Sequence, residues 1–215
     1  MQEIIKKFNH LKVHTQYSIC KGAILIDDLK DFCKQKEIQS IGLSDDSNLS
    51  GALEFSEKIS KTGTQPIIGT QIIFKYKDVF GIIPLIANNN IGYKKIIELS
   101  SKSYLENSDS SQPFCNFNDL LNNVKGISIL SGSINGLIGS LFNMGRLEDI
   151  DDVYKKIKNT YKNRMSNVVL VSGYLDHSVV NYAKSLGVTK FLDKPFSANE
   201  LLECHKGKGS DISIK

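Results

Sequence analysis

The sequence predicts an α/β fold, with strands and helices alternating around a mostly parallel sheet or barrel. Three observations lead there. Short runs rich in Ile, Val and Leu recur from end to end, segments with apolar residues at three- and four-residue steps lie between them, and polar or glycine-containing breaks separate the two.

Taken in order, the first strand is KVH (12–14), set within the stretch HLKVHTQYS (10–18). A helix over 26–36 follows, with Leu29, Phe32 and Cys33 predicted on one face. SIGLS (40–44) reads as the second strand, and 51–61 as a helix whose apolar residues are Leu53, Phe55 and Ile59. PIIGTQIIF (66–74) and GIIPLIA (81–87) are strands, and 92–104 is a helix. The polar run ENSDSSQP (106–113) is a loop, and GISILS (126–131) is the next strand. The longest helical pattern covers 147–161, where Leu147, Ile150, Val153, Tyr154, Ile157 and Tyr161 recur at helical spacing and Lys155, Lys156, Lys158 and Lys162 lie outside as a solvated face. NVVLVS (167–172) and KFLD (190–193) close the set of strands, and KGKGSDISIK (206–215) reads as a frayed tail.

Bulk properties narrow the function classes. With 40% hydrophobic and 23% charged residues over 215 positions, the chain can bury a real core in one or two domains, which excludes a disordered chain. Its net charge of +4 is spread along the sequence, so it permits weak contact with DNA without arguing for it. The four cysteines, Cys20, Cys33, Cys115 and Cys204, form no CxxC pair and read as reduced thiols. The N-terminal residues lack the apolar core of a signal peptide, and no segment reaches the roughly 20 apolar residues a membrane helix needs. The expectation is a cytoplasmic protein with no membrane partner.

The opening stretch sets two histidines, His10 and His14, around a lysine, Lys12, that strict strand alternation would place on their side. Together with IGLSDDSNLSGALEF, QPIIGTQIIF, PLIANNNIGYKKIIELSSKSYLE and GISILSGSINGLIGSLFNMGR, it resembles in order and spacing the N-terminal PHP (polymerase and histidinol phosphatase) domain of bacterial DNA polymerase III alpha subunits, over about residues 8–164. The resemblance implies a distorted (β/α)7 barrel, truncated here. Its strand ends hold a cluster of divalent metals in active members, for phosphoester hydrolysis.

Against the family's motifs the ligand set is altered. The metal-binding HxH falls on Lys12 and His14, the usual Asp-His pair is Asp45 and Asp46, and the usual glutamate is Gln71. An ammonium has no lone pair to offer a metal and a neutral amide brings no charge. The resemblance therefore implies a degenerate PHP site made of His10, Lys12, His14, Asp45, Asp46 and Gln71, with no catalytic residues, no bound metal and no cofactor. His10 and His14 are expected to be packed or hydrogen-bonded, and Lys12 to neutralise Asp45 and Asp46 in place of a metal ion. The implied role is structural, in contacts with other polymerase or replisome parts during DNA replication, in a chain without the polymerase catalytic region.

From Met165 the chain instead resembles the C-terminal half of a response-regulator receiver, a flavodoxin-like βαβα half-domain over 165–205. The hydroxyl of Ser172 ends one strand, and Lys194 and Pro195 stand in FLDKPF after the next. The acidic pair such a domain needs is not in this half, and upstream Asn88 takes the place where a phosphoaccepting aspartate would fall. A junction is expected at Arg164 and Met165, whether from gene fusion, a frame change, misassembly or design. Two further readings stand beside the structural one: a signalling protein with an incomplete receiver, and a metal-dependent PHP phosphoesterase. Other chemistry is excluded by pattern, since the chain has no GxSxG elbow and no GxxxxGK[ST] phosphate loop, and Cys20 and Cys33 have no identifiable base partner.

Overall fold

A computed structural model of the chain describes residues 9–106, 112–161, 169–172, 181, 184 and 190–193. The chain divides into two compact units, one of His10–Thr160 and one of Met1–Asn9 with Tyr161–Lys215. In the first, β1 (His10–Val13), β2 (Ser40–Leu43) and β4 (Gln65–Ile67) form a parallel sheet in the order β1-β2-β4. A second, mixed sheet holds β3 (Asp45–Asp46), β5 (Gly69–Tyr76), β6 (Val79–Ala87) and β8 (Ile127–Ile129) in that order, with β7 (Cys115–Asn116) also on β5. The backbone passes from one sheet to the other across single residues, Ser44 after β2 and Ile68 after β4. Ser44 and Ile68 thus carry the ends of β2 and β4 into β3 and β5.

The helices are α1 (Ile26–Lys36), α2 (Ala52–Ser60), α3 (Asn90–Leu105), α4 (Phe117–Asn122), α5 (Leu137–Asn143) and α6 (Leu147–Tyr161). In α1 the acids Asp27 and Asp28 occupy the first turn and Lys34 and Lys36 the last, matching the helix dipole, and the chain leaves through Glu37 in the left-handed region. The α3 helix starts on Asn89, whose side chain accepts from the Gly92 N–H at 3.0 Å. Two apolar cores result: Ile26, Leu29, Cys33, Ile41, Leu43, Phe55 and Ile59 join α1 and α2 to the parallel sheet, while Ile72, Phe74, Leu85, Ile96, Leu99, Leu120 and Leu141 join α3, α4 and α5 to the mixed one. Leu49 packs against both.

Several expectations need correcting. The sheets are less parallel than the pattern implied, because β5 and β6 form an antiparallel hairpin and β6 pairs antiparallel with β8. Among the described residues of the His10–Thr160 unit the strands make two open sheets and no closed barrel. Phe32 and Leu53, expected on the inner faces of α1 and α2, are exposed; Ile26 and Ala52 take those places. In the C-terminal unit, β9 (Val169–Ser172) and β10 (Lys190–Asp193) pair in parallel, residue for residue, as the runs NVVLVS and KFLD predict for strands. Most of the loop 106–113, the tail 206–215, Lys162, Cys204, Lys194 and Pro195 lie outside the described residues. Among the described residues no helix is long and apolar enough to cross a membrane.

Candidate functional site

The strand ends of β1, β3 and β5 meet around Asp45. Two residues beyond β1 the chain turns sharply: the Ser18 N–H donates to the Thr15 carbonyl at 2.9 Å, and the Lys21 and Gly22 N–H groups both donate to the Ser18 carbonyl at 2.9 and 2.8 Å. Gly22 is required there, since a Cβ would lie 2.0 Å from the Thr15 carbonyl oxygen. Cys20, at φ 62°, takes the left-handed bend of the same loop and is exposed.

This turn aims donors at Asp45, which is wholly buried. Its Oδ1 accepts from the Thr15 N–H at 2.6 Å and from the Ser18 hydroxyl at 2.7 Å, and its Oδ2 accepts from the Thr15 hydroxyl at 2.7 Å. A buried carboxylate requires such partners, and three donors satisfy it without any metal. The Thr70 hydroxyl on β5 donates to the Asp45 carbonyl at 2.6 Å, fixing β3 against its neighbour.

Asp46 faces a different set. Its N–H donates to the Ser18 hydroxyl at 3.1 Å, and its Oδ1 accepts from the Gln71 side-chain amide, the two residues being register partners on β3 and β5. Lys21 Nζ lies 3.0 Å from Asp46 Oδ2. That contact is an ion pair without an aligned hydrogen bond, so Oδ2 has a charge partner and no donor. Asn48 ties the two loops together, donating to the Tyr17 carbonyl at 2.9 Å and to the Asp46 carbonyl at 2.8 Å. Beside it, the Tyr17 hydroxyl donates to Glu54 at 2.6 Å, and Lys58 with Tyr17 holds the Glu54 carboxyl below the usual carboxylate range.

The predicted residues therefore divide. Asp45, Asp46 and Gln71 belong to one centre, and His14 adjoins it in the chain with its Nδ1 buried and without a hydrogen-bond partner. His10 and Lys12 are exposed on β1. The expected Lys12 pairing is not formed: the ion pairs among the described residues include Lys21 with Asp46 and none with Lys12. The cause lies in β1 itself, where His10 pairs with Ile41 and Val13 with Leu43, three steps along one strand against two along the other. That irregularity breaks the alternation that would have put Lys12 in phase with His14. Thr15, Ser18, Lys21 and Asn48 were missed. The signal for the first two was available, since any buried aspartate needs donors and hydroxyl residues follow β1 directly. Ser172 ends β9, beside Asp193 in register.

Most of the carboxylate oxygens of this centre are already engaged by protein groups. Asp45 has three hydrogen bonds on its two oxygens, an ammonium stands at the second oxygen of Asp46, and the other buried atoms without a hydrogen-bond partner here include His14 Nδ1 and Gln71 Oε1. Among the described residues no three His, Cys, Asp or Glu side chains are grouped to hold a metal ion. The buried thiols are equally quiet: burial pushes Cys115 up to about 12, and it raises Cys33 as well.

Comparison with known proteins agrees with the strand-end motifs. The DNA polymerase III subunit alpha of Borreliella burgdorferi is 33% identical over 198 residues, covering 85% of this chain and 17% of that protein. The subunit of the same name from Caulobacter vibrioides is 30% identical over 170 residues, covering 73% of this chain and 14% of that protein. This chain thus spans a small part of the length of these relatives. A third subunit of that name, from Pasteurella multocida, is 28% identical and aligns with 93% of this chain, so the alignment runs past residue 165 and the comparisons lend no support to a receiver there. A family model for the PHP domain matches residues 10–167, and with well over half of its length matched the chain belongs to the PHP domain family.

Proposed function

We propose that this chain is a metal-independent PHP module of a replicative polymerase of the DNA polymerase III alpha type, serving as a structural and interaction part in DNA replication. One observation carries the reading: at this junction of three strand ends Asp45 is held by three protein donors, and Asp46 is engaged by the Gln71 amide and the Lys21 ammonium. The relatives named above support the polymerase context. On this reading residues 1–164 form the PHP-like part, truncated relative to a closed barrel, and the partners are other polymerase or replisome parts in the cytoplasm, with at most weak DNA contact.

The test is elemental analysis of the purified chain, with a phosphodiester assay in added Mn²⁺ or Zn²⁺. The expected result is no stoichiometric metal and no hydrolysis. Bound metal at one or more ions per chain, with hydrolysis abolished by His14→Ala, would replace this reading with a phosphoesterase.

A second reading concerns residues 165–205 alone. The one-to-one parallel pairing of β9 with β10 fits a βαβα piece of the receiver type, in which Ser172, Lys194 and Pro195 would take the receiver's places. Because the acids of such a domain are missing, acetyl phosphate should leave no stable aspartyl-phosphate, and a labelled chain would favour a signalling role.

A further inference from the structure

We propose that Lys21 is the resident cation of the strand-end centre, a tethered ammonium that holds at Asp46 the place a divalent ion would need and thereby keeps the site metal-free. The inference rests on the metal-independent reading above and names the residue that enforces it. Lys21 comes from the loop after β1, and its direction is set by the turn in which Ser18 accepts from both Lys21 and Gly22. Its Nζ stands 3.0 Å from Asp46 Oδ2, while Oδ1 of the same carboxylate is taken by the Gln71 amide. Asp46 therefore presents no oxygen to an outside cation.

A group tethered three residues from Ser18 meets Asp46 at a high effective concentration, and a second cation entering would be repelled at contact distance. Without the ammonium, Asp46 Oδ2 would lose its charge partner, and its register partner Gln71 carries another buried oxygen with no donor, Oε1. Two hard oxygen acceptors, one of them anionic, suit Mn²⁺ or Mg²⁺ over softer ions. The side chain of Lys21 is 59% exposed, so replacing it leaves both cores untouched.

The experiment titrates the full chain with Mn²⁺, following the free ion by electron paramagnetic resonance and folding by thermal melting. Lys21→Met should bind Mn²⁺ about tenfold or more tightly than the unsubstituted chain, because the competing charge is gone. Lys21→Arg, which keeps the charge, and Lys12→Met, which removes the exposed lysine on β1, should both stay at the unsubstituted level. Adding Asp46→Asn to Lys21→Met should cancel the gain. Unchanged Mn²⁺ affinity in a cooperatively melting Lys21→Met, or an equal gain in Lys12→Met, would overturn the proposal; should Lys21→Met fail to melt cooperatively, Lys21→Gln is read by the same criteria. Stoichiometric Mn²⁺ on the unsubstituted chain would instead overturn the metal-independent reading itself.

Discussion

Asp45 is a fully buried carboxylate whose satisfaction depends on two hydroxyls and one backbone N–H from a single short loop. Ser18 has a double role, donating to Asp45 and accepting from the Asp46 N–H. Ser18→Ala removes both, and the loss should be about 1–3 kcal/mol by urea denaturation, the range for leaving a buried polar group without its partner. Lys12→Ala provides the contrast: an exposed lysine with no ion pair among the described residues should change stability by less than about 0.5 kcal/mol. If Lys12→Ala proves the more damaging of the two, the assignment of the centre to the post-β1 loop is wrong. The acidic and amide members of this centre were legible in the sequence because they stand in the strings LSDDS and IIGTQ that carry the family resemblance. Lys21 was not, because its position depends on a turn with a left-handed Cys20 that no periodicity encodes.

At the scale of elements, legibility followed length and period. The 11-residue α1 and 15-residue α6 were bounded correctly from apolar spacing alone. The two-residue β3 and β7 and the seven-residue α5 were missed, since so short a segment shows no period. The hairpin of β5 and β6 was misread as part of a parallel pattern because its turn, Lys77-Asp78, contains no glycine or asparagine; Lys77 itself takes the left-handed conformation, at φ 55°. For α3 the sequence offers three consecutive asparagines, and the structure selects Asn89 as the cap. Asn89→Ala should therefore destabilise by about 1 kcal/mol in chemical denaturation, whereas substitution of the exposed Asn90 should have a smaller effect. Equal effects at the two positions would refute the capping assignment.

At the scale of the whole His10–Thr160 unit, a charge network joins parts of the chain about 70 residues apart. Arg146, just ahead of α6, pairs with Asp78 in the hairpin turn and with Asp149; Lys77 pairs with Asp149; and the Tyr76 hydroxyl and Lys156 both reach Asp152. Arg146 holds the Asp78 carboxyl below the usual carboxylate range, Lys77 does the same for Asp149, and Lys156 with Tyr76 for Asp152. Carboxylates lowered in the folded state contribute stability that is fully present above their unfolded pKa of about 3.9 and is lost as pH falls through the folded values below it. Asp78 and Asp152 are solvated and Asp149 partly so, which keeps the contribution modest and salt-screened. The urea midpoint should therefore hold steady from neutral pH down to about pH 5 and fall below about pH 4, with a smaller fall in high salt. Arg146→Met removes the partner shared by Asp78 and Asp149. It should lower the midpoint at neutral pH while flattening the acid limb, because the two carboxyls then titrate closer to their unfolded values. The curves of the variant and the unsubstituted chain should converge in strong acid, where the carboxyls are neutral in both. Parallel curves over the whole range would mean that Arg146 acts through packing alone and that the network does not tie α6 to the hairpin.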